Sequence, residues 1–211
     1  MKANKVKSNR SIAINRSIAI IGEGETEWFY FDALRAARRY PFKIAPAFPQ
    51  HADIAHFVKM AVQFVDEGYD HVVCLIDMDR LMTHPAEMMS YRCIRTKTEK
   101  RYPSIEFIET CPCTEFWFLL HFLPGLPRKH AIYYNDLLPE LQRYLPGYEK
   151  TRRYFRRINI YNYLVENGSL ELAMQNAERL SVMARENPED KLSYSGIHKV
   201  FKIIEHMSSE K

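Results

Sequence analysis

The feature that most constrains the fold is an apolar run, Ser17 to Ile21, that breaks into Gly22-Glu23-Gly24-Glu25-Thr26-Glu27 and continues as a helix-like segment. A strand that turns sharply into a helix is the opening of an α/β unit. Such turns commonly receive phosphate. This one carries carboxylates, which repel phosphate unless a cation is bound too. A second apolar run, Val72 to Ile76, ends in Asp77-Met78-Asp79. Acid after both strands predicts a divalent-metal site at one edge of a parallel sheet.

The remaining pattern agrees with that sheet. Glu27 to Arg39 reads as a helix and Lys43 to Phe48 as a strand between prolines. Ala52 to Glu67 carries a helical stripe at Ile54, Phe57, Val58, Ala61, Val62 and Val65, with Gly68 as its stop. The continuous apolar character of Val72 to Ile76 suits a strand covered on both faces. Met82 to Arg101 is polar, basic and partly helical, and Ser104 to Glu109 is a short strand. The order β-α-β-α-β-(α)-β predicts a mostly parallel sheet with helices on both faces. After Pro112 the chain turns aromatic and then helical, with Glu115 to Leu123, Leu137 to Tyr144, Ile158 to Glu166, Leu170 to Arg185 and Ser195 to Met207 all reading as helices. Pro124-Gly125 and Pro146-Gly147 mark turns. The expected organisation is a basic arm over residues 1–16, an α/β core over 17–123, and a helical extension of the same unit over 124–211. An exact hexapeptide duplication, Asn9 to Ile14 and Asn15 to Ile20, straddles the arm. Two copies are too few for a solenoid.

A net charge of +4 is mild and predicts no partner by itself. Its distribution says more: the acid is compact, and basic residues gather elsewhere. Lys150, Arg152, Arg153, Arg156 and Arg157, interleaved with Tyr154 and Phe155, suit phosphate contact and base stacking, although an ordinary solvated helix face explains them equally well. Arg92, Arg95, Lys97, Lys100 and Arg101 form a second cluster. The cysteines, Cys74, Cys93, Cys111 and Cys113, form no Cys-x-x-Cys pair. With no secretory leader pattern and no apolar run near the ~18 residues of a membrane helix, they predict free thiols in the cytoplasm. Zinc at Cys111 and Cys113 lacks a second ligand pair at zinc spacing.

The glycine loop is neither a dinucleotide fingerprint, since Glu27 stands at the third glycine, nor a Walker loop, since no Lys-Ser/Thr follows. Helix capping explains Glu27 well and Glu23 poorly. On an extended strand end Asp77 and Asp79 point the same way, and a hard cation relieves their repulsion. Glu115 opens the aromatic helix, where it either favours the helix N-terminus or is a third carboxylate aimed at the metal. His121 lies on a different face from Glu115 and is not its catalytic partner.

These motifs, Ile20 to Glu27, Leu75 to Asp79 and Cys111 to Phe122, in that order, resemble the RloB-like family, and the first part resembles a Toprim domain. Asn187-Pro188 and Tyr194 resemble the family's C-terminal end. Cys111 and Thr114 depart from its more usual Ser/Asn-x-Pro-x-Phe-Glu form, with Thr114 in place of phenylalanine. The resemblance implies an acid/base role at a phosphodiester for Glu23 and Mg²⁺ binding by Asp77 and Asp79. It implies genes in bacteria and archaea beside restriction-modification or abortive-infection loci, often near ATPases. The expectation is an Mg²⁺-dependent nuclease (Mn²⁺ as substitute) of a phage-defence locus. Glu25 and Glu115 are further candidate ligands, and the Lys150–Arg157 basic residues would hold nucleic acid. The alternative is a non-catalytic subunit that binds nucleic acid or a partner ATPase.

Overall fold

A computed structural model describes residues 16–40, 43–48 and 53–209. The first hexapeptide copy and residues 1–15 of the expected arm lie outside these. In chain order the elements are β1 (Ser17–Ile21), α1 (Glu25–Arg38), β2 (Lys43–Ala47), α2 (Ile54–Asp66), β3 (His71–Asp77), α3 (Asp79–Thr83), α4 (Pro85–Arg101), β4 (Ile105–Cys111) and α5 (Glu115–Leu120). Then follow α6 (Tyr134–Tyr144), α7 (Arg152–Arg157), α8 (Ile160–Asn167), α9 (Leu170–Glu186), β5 (Tyr194–Ser195) and α10 (Ile197–Ser209). The fold is α/β, with a five-stranded sheet in the order β2-β1-β3-β4-β5. The first four strands are parallel, and β5 joins β4 antiparallel through Thr110↔Ser195 and Cys111↔Tyr194.

Strand alternation divides the core. Ala19, Ile21, Val72, Cys74, Ile76 and Phe107 face Phe57 and Ala61 of α2 and Tyr91 of α4. Ile18, Ile20, Val73, Leu75 and Ile108 face the other way, against Tyr30, Phe31 and Leu34 of α1. Successive side chains on a strand point to opposite faces, so each run of β-branched residues feeds two layers.

The second layer continues without a break into the C-terminal helices. Beyond its first residue, Glu115, helix α5 is apolar all round, with Phe116, Trp117, Phe118, Leu119 and Leu120 all buried, as expected of a helix enclosed by others. Its indole Nε1 donates to the Tyr30 hydroxyl at 2.8 Å. Leu137 and Leu141 of α6, Leu164 of α8, Leu180 of α9 and Val200 and Phe201 of α10 belong to the same cluster. Truncating Trp117 to alanine would open this cluster and cost about 3–5 kcal/mol.

The structure departs from the sequence pattern in several places, one being α7, which falls between the expected helices. The polar stretch before β4 is two helices, α3 and α4, separated at His84. The aromatic helix ends at Leu120 rather than Leu123. Strand β5 was not expected, because two residues carry no periodicity.

Candidate metal centre and its basic strap

The parallel register stacks the strand ends. Ile21 of β1 lies opposite Cys74 of β3, and Asp77 lies opposite Thr110 of β4. The glycine loop spans the residues by which β3 outruns β1. Glu23 Oε1 there accepts the Asp77 backbone N–H at 2.9 Å. Beyond β4 the chain turns through Pro112, whose carbonyl accepts the amides of Met78 at 2.9 Å and Asp79 at 3.0 Å. The segments after β1, β3 and β4 are thereby tied together.

Gly22 is a close-approach glycine. A Cβ there would lie 2.2 Å from Glu27 Cβ. Its bare backbone lets Glu27 fold inward, where it is 3% exposed. Glu27 Oε2 accepts the Gly24 amide at 3.0 Å, the expected capping contact. Glu27 Oε1 has no partner within hydrogen-bonding geometry among the described residues. The Thr114 hydroxyl is near enough to lower its pKa, but donates to Asp77 Oδ1 at 3.3 Å. Burial dominates and holds the Glu27 carboxyl above its ordinary value, with Glu115 adding to the rise.

Asp77 is 11% exposed. Its Oδ1 also accepts the Thr114 amide at 2.9 Å. Burial, then Glu27 and Glu23, push its pKa well above the carboxylate range. Burial raises Glu23 to about 7; the Asp77 amide opposes this, while Glu27 and Asp79 add to it. Glu115 is 0% exposed and accepts the Tyr148 hydroxyl at 2.8 Å and the Thr26 hydroxyl at 3.4 Å. Cys113 lies near both Asp77 and Glu115, and burial raises its thiol pKa, with both carboxylates contributing. One donor atom from each of Asp77, Cys113 and Glu115 falls within 4.8 Å of the others.

That set fits a divalent ion. Two carboxylates with an orphaned buried oxygen beside them hold more acid than the nearby Lys150 ammonium offsets, and oxygen donors suit Mg²⁺ or Mn²⁺. The Cys113 thiol adds a softer donor that also suits Zn²⁺.

The expected ligands are not all brought together. Asp77 and Glu115 are. Asp79 is not aligned with Asp77 along a strand, because Met78 is helical and Asp79 begins α3. The Asp79 carboxylate accepts the Arg80 amide at 2.6 Å and bears on Glu23 instead. The Arg80 guanidinium binds Glu87 through two bonds of 3.0 Å. Glu25 turns outward and pairs with Arg152.

The basic segment is a strap across the site. Tyr148 reaches Glu115, and Lys150 Nζ lies 3.3 Å from each Glu115 oxygen and 3.8 Å from Asp77 Oδ2. Desolvation pulls the Lys150 pKa down, but Glu115 and Asp77 outweigh it and the net shift is upward. Arg153, Arg156 and Arg157 are exposed. Tyr154 and Phe155 are 3% and 4% exposed, so the interleaved aromatics pack in the core and are withdrawn from base stacking. In the second basic cluster Arg95 is taken by Glu99 and Glu109.

Sequence reasoning weighed Glu27 only as a cap, weighed Cys113 only as a zinc ligand beside Cys111, and gave no role to Thr114 or Tyr148. The available signals were the Gly22-to-Glu27 spacing and the placement of Cys113 two residues before Glu115.

The model of the RloB-like protein family matches residues 18–206. This chain belongs to the RloB-like family. No curated protein and no solved structure gives a match. No helix among the described residues of this RloB-like chain is long and apolar enough to cross a membrane.

Proposed function

We propose that this RloB-like chain is a Toprim-like, divalent-metal-dependent nuclease, or a related phosphodiester-processing enzyme, acting in phage defence. The observation that carries the reading is the convergence of Glu23, Asp77 and Glu115 from separate segments onto one strand edge. A structural role gives no reason to bury so many carboxylates together.

Asp77 and Glu115 would hold Mg²⁺ or Mn²⁺, with Cys113 adjacent. When bound, the ion supplies Lewis acidity at a phosphoryl oxygen. Glu23 sits at the half-buried rim with a pKa raised to about 7, which suits a group that takes a proton near neutrality. It would accept the proton of the attacking water or return one to the leaving oxygen. The Thr114 amide fixes the Asp77 carboxylate. The exposed Arg153, Arg156 and Arg157 would contact the phosphate backbone.

The test is cleavage of plasmid DNA, single-stranded DNA and tRNA with Mg²⁺ or Mn²⁺, comparing wild type with Asp77→Ala. Cutting by wild type alone supports the nuclease and names its substrate class. Equal cutting by both refutes this site. Metal-independent binding without cutting selects a regulatory subunit that grips nucleic acid or an ATPase.

A further inference from the structure

The basic strap supplies a cation to the same oxygens a metal would need. Lys150 Nζ lies 3.3 Å from both Glu115 oxygens and 3.8 Å from Asp77 Oδ2. Those two residues, with Cys113, are the ones whose donor atoms cluster within 4.8 Å. The lysine arrives from outside: its side chain is 44% exposed, and its ammonium also lies 5.3 Å from the centroid of the Tyr134 ring. Its neighbours in the strap have contacts of their own: the Tyr148 hydroxyl donates to the same Glu115 Oε1, and Arg152 pairs with Glu25 away from Asp77 and Glu115. Losing the Lys150 contact alone therefore leaves the Arg152 anchor of the strap in place.

A divalent ion binds carboxylate oxygens at about 2.1 Å. Ion and ammonium at these shared oxygens would be close neighbours of like charge in a poorly screened site. Simultaneous occupancy is unfavourable. Glu27, whose buried Oε1 has no partner among the described residues, also interacts electrostatically with Lys150 and Glu115, so the cluster holds acid beyond the two residues that the ammonium touches. The site holds a weak counter-ion where a stronger one is called for.

We propose that Lys150 is a built-in competitor for the metal: its ammonium occupies the Asp77–Glu115 oxygens until a divalent ion displaces it, so this residue sets the chain's metal affinity. This inference rests on the metal-site reading above. It assigns Lys150 a role different from contact with nucleic acid. The lysine keeps the carboxylates together while metal is absent and imposes a threshold concentration for loading.

The test is a Mn²⁺ titration of the full chain, following the electron paramagnetic resonance signal of free Mn²⁺. Lys150→Met keeps the aliphatic stem and removes the charge. It should bind Mn²⁺ at least tenfold tighter than wild type, and adding Asp77→Asn should abolish the gain. Arg152→Met removes a nearby charge that touches neither Asp77 nor Glu115, and should change affinity less than threefold. Equal or weaker binding by Lys150→Met, with wild-type binding still lost in Asp77→Asn, overturns the lysine inference and leaves the metal site standing. An equal gain from Arg152→Met also overturns it, because the effect is then diffuse charge. Binding by neither wild type nor Lys150→Met removes both readings. A second measurement uses the unmutated chain. Acylation of Lys150 by an amine reagent, read by peptide mass spectrometry, should rise at least fivefold in saturating Mn²⁺. Unchanged or reduced labelling rejects displacement.

Discussion

Two carboxylate clusters are built on neighbouring strands of this sheet, and they are finished differently. Glu109 of β4 receives the Tyr91 hydroxyl at 2.8 Å, the Arg95 guanidinium at 2.5 Å and the Tyr194 hydroxyl at 3.4 Å. Arg95 also reaches Glu99, whose Oε1 accepts the Phe107 amide at 3.0 Å. Glu109 and Glu99 thus share one forked cation and a full set of donors. At the ends of β1 and β3 the arrangement is the reverse. Glu23, Glu27, Asp77 and Glu115 share the Lys150 ammonium, and a buried Glu27 oxygen has no partner among the described residues. Both clusters draw on the same residue types. Completed pairing makes the first a structural brace. Incomplete pairing makes the second a place where a cation, a proton or a substrate changes the energy.

Removing one carboxylate from each cluster should separate the two most widely. Asp77→Ala should lower metal-dependent cleavage at least ~100-fold, beyond the loss typical of residues that only support a metal ligand. Its circular dichroism should stay native. Glu109→Gln should leave the cleavage rate within a few-fold. A Glu109→Gln chain as inactive as Asp77→Ala would erase the distinction.

Metal should also discriminate. At a hundredfold excess over its Kd, Mn²⁺ should stabilise wild type by about 2.7 kcal/mol, a rise in Tm of roughly 5–10 °C for a domain of this size. The shift should vanish in the Asp77→Asn/Glu115→Gln double variant and persist in Glu109→Gln. Arg95→Ala tests the brace. The pair is partly solvated, with side-chain exposures of 32% and 22%, so a loss of about 2 kcal/mol is expected rather than the larger figure for a fully buried pair. Urea denaturation would measure it, and an unchanged midpoint would remove the brace.

Acid dependence gives a smaller effect. A carboxyl raised to about 7 when folded keeps its proton longer than the unfolded chain does. Its contribution to stability is present below about pH 4.5 and lost as pH rises through 7. Metal-free Glu23→Gln should therefore gain about 1–2 kcal/mol on wild type between pH 4.5 and 7. Subtracting the two curves cancels His121, whose burial lowers it to about 4 and which acts in the opposite sense. Parallel curves would dispose of the Glu23 shift. The smallest effect is on the strap's outer face. Replacing Arg153, Arg156 and Arg157 with alanine should flatten the salt dependence of nucleic-acid affinity by about 0.7–0.9 in slope for each lost phosphate contact.

The sheet was legible because its strands are apolar runs bounded by turns, and because alternation with helices leaves few topologies. Asp77 and Glu115 were legible for a local reason: each follows a strand or opens a helix. Glu27 was hidden by a sufficient local explanation. Its capping contact with Gly24 is real, yet the same carboxyl also interacts with Lys150 and Glu115. Asp79 was misplaced because a strand was carried on past Asp77, where Met78 already turns helical. Lys150 was read as one charge in a basic run. Which charge points inward depends on the turn at Gly147, with its φ of 69°, and on Tyr148 reaching Glu115. Neither is visible in the spacing of basic residues.

The strap enters the site late in the chain, and that order has a consequence during synthesis. Glu23, Glu27, Asp77 and Glu115 are all translated before Lys150. At ~5–20 residues per second, the ribosome takes roughly 2–7 seconds to travel from Glu115 to Lys150. Through that interval the nascent strand edge has its acids without the ammonium that later sits among them. Protons or free divalent ions are then the available counter-charge, and the newborn chain meets them before it meets its own lysine.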